Sequence, residues 1–298
     1  MVQQVKIRGQ IQAIAGRLND HLNQKRRVLL LVVIVFTISG CGVSWWYGQI
    51  DYLLRFRVDS YFDLTGEQED FIVNRLEKHL VWHRNEGLAD HVNFLVETRD
   101  GLSDGVTRPE IFWFFQAYRN QLRLIVERLS GDSIEFLTTL NNEQIDHFID
   151  ELKDENEEYE ERLSMSREER LQKRVESTIE SLEDWLGSLS NTQEAEVRRI
   201  SLNLPDTMKP WYQKRLRRQQ IFIQALRTKG SRLEIREVFF QMMLPIERKS
   251  DDRSLDPIVE MILSIDRMAT PTQRQHLNDK LQTWIDDLRE IHQESTDA

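Results

Sequence analysis

The sequence holds one cysteine, Cys41, in 298 residues. A lone thiol closes no disulfide within the chain, and it rules out multi-cysteine zinc sites and Cys-x-x-Cys redox chemistry. Glycine and proline are scarce, at twelve and six, which is too few for a loop-rich, collagen-like or low-complexity chain. No Gly-rich phosphate loop and no G-x-S-x-G is present, and the cysteine, read below as lipidated, is no nucleophile. No run alternates β-branched with polar residues between hairpin turns. Cations are the minority: 40 Lys and Arg against 50 Asp and Glu give a net charge of −10. Such a surface repels nucleic acid and anionic headgroups and favours basic partners. What the chain has in plenty is Leu, Glu, Arg and Gln, which are good helix formers. Seven Trp and thirteen Phe supply a core. The expected class is all-α.

One apolar stretch stands out. Lys25, Arg26 and Arg27 precede an apolar run over 28–39, and Ile38-Ser39-Gly40-Cys41 closes it. A basic region, a short apolar core and a small-residue site make a secretory signal. Ending on the lone cysteine, it resembles a bacterial lipobox, whose cysteine is diacylated and becomes the first residue after cleavage. Residues 28–50 also form twenty-three positions without a charge, long enough for an uncleaved membrane anchor, with Trp45, Trp46 and Tyr47 as an interfacial belt. Both readings place the body outside the cytoplasm. Loss of 1–40 leaves 34 cations against 49 anions.

Helix starts punctuate the rest. Ile50, Leu53, Leu54, Val58 and Phe62 share one helical face. Thr65 and Gln68 form a capping box, in which cap and third residue satisfy each other's backbone amides. The helix it opens runs to about Asn85. The same start recurs at Asn141 and Gln144, at Ser190 and Gln193, and at Thr270 and Gln273. Leu64 to Leu189 is 125 residues, Leu140 to Ala269 is 129, and Phe114-Phe115-Gln116 lies 125 before Phe239-Phe240-Gln241. This periodicity predicts an internal duplication. Further helices are expected from Pro109 to about Leu129, over 132–140, 142–163, 166–186, 191–204, 207–227, 233–248, 257–268 and 272–293. The organisation expected is a signal-bearing extension (1–40), a lipidated tether (41–51) and two similar helical halves, 52–165 and 166–298. Short linkers make an elongated antiparallel bundle of them.

Candidate chemistry is sparse. His79 and His83 have the i, i+4 spacing of a metal pair, with Glu86 and His91 near, but no H-E-x-x-H and no obvious third ligand; packed histidines are the expectation, with no metal or cofactor. Residues 150–161 hold eight carboxylates around Lys153 without EF-hand order. Lys214, Arg215, Arg217 and Arg218 can pair with that acidic face inside the bundle. Phe112, Trp113, Phe114, Phe115 and Tyr118 surround their helix, mostly as core, with one side open to a partner.

Two resemblances follow from these residues. Trp46-Tyr47-Gly48-Gln49-Ile50-Asp51-Tyr52-Leu53-Leu54, Asp59-Ser60-Tyr61-Phe62-Asp63-Leu64-Thr65-Gly66-Glu67-Gln68 and Trp82-His83-Arg84 resemble an uncharacterised family of proteobacterial lipoproteins with a lipobox and a Leu-Thr-Pro-Glu-Gln motif. Gly66 stands where that family has Pro. The resemblance implies an envelope lipoprotein, and Gly42 after Cys41 implies delivery to the outer membrane. The recurring Leu-Thr-x-x-Gln start is similar, more weakly, to the Spy/CpxP periplasmic chaperones, which are helical cradles. The expected function is non-enzymatic: a lipoprotein binding a protein partner or client on a surface with Phe112, Trp113, Phe115 and Tyr118. The alternative is a structural scaffold docking a basic partner through its acidic helix.

Overall fold

The computed structural model describes residues 43, 47–102, 104–244 and 255–296. The signal region, Cys41, Trp45 and Trp46 lie outside the described residues. In chain order the helices are α1 (Ile50–Phe62), α2 (Gly66–Trp82), α3 (Leu88–Gly101), α4 (Arg108–Leu137), α5 (Asn142–Ser164), α6 (Arg167–Leu186), α7 (Asn191–Asn203), α8 (Met208–Arg227), α9 (Arg232–Met243), α10 (Asp256–Met268) and α11 (Pro271–Thr296). A π-helical turn, His83–Gly87, joins α2 to α3. No strand occurs among the described residues. The fold is an all-α helical bundle.

Three boundaries differ from the sequence expectation, the simplest being the helix expected over 233–248, which ends at Met243 with Leu244 already extended. The helix from Gly66 does not stop near Asn85 but passes through the π turn and continues to Gly101. The break expected around Ser130-Gly131-Asp132 is absent, and α4 is one helix of 30 residues. Ser130 Oγ donates back to Glu127 O at 2.8 Å, and Asp132 is held by Arg75 at 3.3 Å and His79 at 2.8 Å. Tertiary partners on α2 thus override a sequence that locally favours a stop.

The recurring caps form as capping boxes at Thr65, Asn141 and Ser190. Thr270 and Gln273 make the same pair of bonds, at 3.0 and 3.2 Å. Their glutamines then do a second job. Gln144 Nε2 donates to Gln68 Oε1 at 2.7 Å and to the carbonyls of Phe62 and Asp63 at 3.0 and 3.1 Å. Gln68 reaches back to Thr139 Oγ1 at 2.9 Å. In the second half Gln193 donates to Gln273 at 2.8 Å and to Met268 O at 3.1 Å, while Gln273 donates to Ser188 O at 2.9 Å. Each pair of glutamines clasps two helix N-termini side by side. Gln144, Gln193 and Gln273 are buried, so the clasp pairs side-chain amides that have little access to water.

The helices pack in matching sets. The α1 helix lies on α2 and α5, as α6 lies on α7 and α11. The α2–α4 and α3–α4 contacts are matched by α7–α10 and α8–α9. The last match crosses between halves: α3 packs on α11 and α8 packs on α5, with α4 against α9 between them. One core, around Phe136, Ile145, Phe148, Phe222 and Phe239, therefore draws on both halves. The other, around Leu88, Leu95, Trp284 and Ile285, does the same.

Candidate tether and partner surface

The described chain begins already attached to the body. Val43 is buried against α3 and α11, and its amide donates to Asp287 Oδ2 at 2.8 Å. Tyr47 stacks on His83, ring centroids 5.7 Å apart, with its hydroxyl 2.7 Å from His83 Nδ1. Tyr47 is thus packed against the body through its ring and its hydroxyl. On the other side of the ring, His83 Nε2 lies 3.1 Å from His91 Nε2. In an uninterrupted α-helix, residues eight apart point about 80° away from one another. The wider π turn removes much of that divergence and brings the two imidazoles together. Gly87 is required for this, because a Cβ there would sit 2.9 Å from His83 Cδ2.

His79 faces elsewhere, its Nε2 2.8 Å from Asp132 Oδ2, so the i, i+4 pair does not converge on a point. Among the described residues no group of three or more His, Cys, Asp and Glu is arranged to hold a metal ion. His83 and His91 bond as neutral rings, one donating and one accepting. Burial chiefly, then His91 and the Arg84 cation, push the His83 pKa down to about 4, and burial lowers that of His91. With folded-state values below the ordinary ~6.5, the unfolded chain protonates first. Stability from this cluster is complete above pH ~6.5 and is lost as pH falls toward that of the folded His83. Denaturant midpoints measured across pH 7 to 4 should fall in that window, and a double His83→Gln, His91→Gln variant should lose most of the dependence.

The acidic helix is partly an internal element. Glu155 is 3% exposed, with Arg215 Nη2 2.7 Å from Oε2 and Arg57 Nη2 2.5 Å from Oε1. Tyr61 donates to the same Oε1. Asn156 accepts from Arg215 Nε at 3.0 Å and donates to Gln219 at 2.8 Å. Of the basic run, Arg215 therefore pairs with the acidic helix, whereas Arg218 turns to Gln241 O at 3.4 Å. The outer carboxylates Asp150, Glu157 and Glu161 stay at the surface. Sequence spacing located the two partners but not Arg57 or Tyr61, since contacts across about a hundred residues leave no local pattern.

The aromatic stretch at the start of α4 divides. Phe114 and Tyr118 pack into the core formed by α3 and α11, with Phe114 5.3 Å from Phe94 and 6.5 Å from Tyr118 between ring centres. Phe112 and Phe115 are half-buried, and Trp113 is 38% exposed. Trp113 leans on Phe94 at 6.0 Å, so its ring is fixed and its outer face is open. Among the described residues no helix is long and apolar enough to cross a membrane.

Comparison with curated proteins and with solved structures gives no match. One sequence family does match, over residues 60–244. That span starts at the last turn of α1 and ends just beyond α9. It contains the Gln68–Gln144 clasp, the aromatic stretch of α4 and the Glu155 network apart from Arg57, which lies three residues before the span. More than half of the chain is matched, and the chain belongs to the Family of unknown function (DUF6279).

Proposed function

We propose that this protein is a non-enzymatic cell-envelope lipoprotein, attached to the membrane through Cys41, whose helical body binds a protein partner or client. The observation that carries the reading is the docking of Val43 and Tyr47. An anchor at Cys41 would lie two residues from a point fixed on the body, so the body is held in one orientation and not swung on a flexible leash. The most buried carboxylate, Glu155, is bound by two guanidiniums and a phenol, which suits a structural tie and not acid–base turnover. Trp113 on its rigid backing, with half-buried Phe112 and Phe115 beside it, is the partner surface, while Tyr118 belongs to the core. Fixed aromatics lose little entropy on binding. The paired clasps and the matched packing of the two halves support an internal duplication.

The test is a light-scattering assay of an unfolded, aggregating client with the purified protein. Suppression near equimolar ratio, lost in a folded Trp113→Ala variant, is the expected result. No suppression at excess removes the client-binding form of the proposal.

A further inference from the structure

The first helix presents apolar side chains that the body does not cover. No residue of α1 is fully buried, and Tyr52 and Phe56 are 62% and 51% exposed. Four apart, they share one face, and the exposed stripe continues through Asp59 to Asp63. The α1 helix runs antiparallel to α2: Tyr47, before its start, meets His83 past the end of α2, and Arg55 meets Glu69 in the first turn of α2 at 3.0 Å. Tyr52 and Phe56 therefore sit toward the end where Val43 and Tyr47 enter the body. Phe56 is within about 14 Å of Tyr47 along the axis at ~1.5 Å per residue. Val81, on the last turn of α2 at that same end, is also exposed. Asp59 and Asp63 occupy the far end, and at the near end a single exposed carboxylate, Asp51, lies beside Tyr52. The charge-free run 28–50 ends on the first residue of α1. Whether that run is retained or replaced by acyl chains on Cys41, the bilayer is attached within eleven residues of Tyr52.

We infer that the face of α1 carrying Tyr52 and Phe56 rests in the headgroup layer of the phospholipid membrane that anchors the chain. This rests on the anchored reading above. An amphipathic Tyr and a neighbouring Phe suit that layer, where a surface helix buries its apolar face about 5–10 Å deep. The aspartates at the other end keep the helix from lying flat and carry the acidic body away from the lipid. The occupant is thus a bilayer surface rich in zwitterionic phosphatidylethanolamine, since the body's net negative charge disfavours an anionic one.

The experiment uses the full chain, expressed so that its N-terminus is processed, in isolated envelope membranes supplemented with phosphatidylethanolamine. A benzophenone amino acid replaces Tyr52, Phe56 or, as control at the acidic end, the exposed Glu143 in separate samples. After flotation and irradiation, phospholipid adducts are expected from positions 52 and 56, with only background from 143. A chain that floats with the membranes yet gives no lipid adduct at 52 or 56 overturns the inference and leaves the anchored reading standing. Adducts to a polypeptide in place of lipid overturn it in favour of a protein partner or a second copy. A chain that does not float overturns the anchored reading, and the inference with it.

Discussion

Replacing Glu155 with Leu should destabilise the protein by about 3–5 kcal/mol, the range for a buried ion pair that loses one partner. The carboxylate is almost wholly enclosed and ties α1 to α8 through Arg57, Tyr61 and Arg215. Its loss leaves the Arg215 cation buried opposite an apolar side chain. Burial of Tyr61, followed by the Glu155 charge, pushes the phenol pKa up, so the phenol stays a neutral donor and supplies no compensating anion. The pairing itself is not the source of net stability, because two desolvated charges roughly cancel their attraction. A double Glu155→Leu, Arg215→Met variant should therefore recover much of the loss. Equal urea midpoints for the single and double variants would show that the network is not a unit.

Gln144→Leu should cost about 2 kcal/mol, because a buried acceptor stripped of its donor costs ~1–3 kcal/mol and, of the two carbonyls it serves, that of half-buried Phe62 loses its donor while exposed Asp63 can turn to water. Gln68 is only half-buried, so Gln68→Leu should cost about 1 kcal/mol, the scale of one ordinary hydrogen bond. Gln273→Leu, in the other clasp, removes one backbone bond, to exposed Ser188, and the bonds to buried Gln193, and should cost about 1–2 kcal/mol. If all three glutamines behave alike in urea unfolding, they are caps alone and the clasp contributes nothing.

These glutamines also show what was legible in the sequence. Cap and third residue lie three apart, so the boxes at Thr65, Asn141, Ser190 and Thr270 are local chemistry and could be read directly. The second role of each glutamine is a contact across 76 or 80 residues, and its only trace was the repetition of the motif. The all-α class followed from composition and periodicity in the same local way. The crossing of α3 onto α11 and of α8 onto α5 did not, since nothing in an amphipathic face names its partner helix. The join of α2 to α3 was missed because a π turn disturbs the 3.6-residue pattern where His83 meets His91. Trp113 could be singled out as aromatic, but only packing against Phe94 shows which side of it is open.

The central claim, a body fixed to the membrane through a lipid on Cys41, is tested most directly by the intact mass of the protein purified from envelope membranes, compared with Cys41→Ser. The account predicts a chain starting at Cys41 with the added mass of acyl groups, and a Cys41→Ser protein that keeps its N-terminal segment and carries none. An unmodified chain of full length in the membrane, the same with and without Cys41, would contradict it.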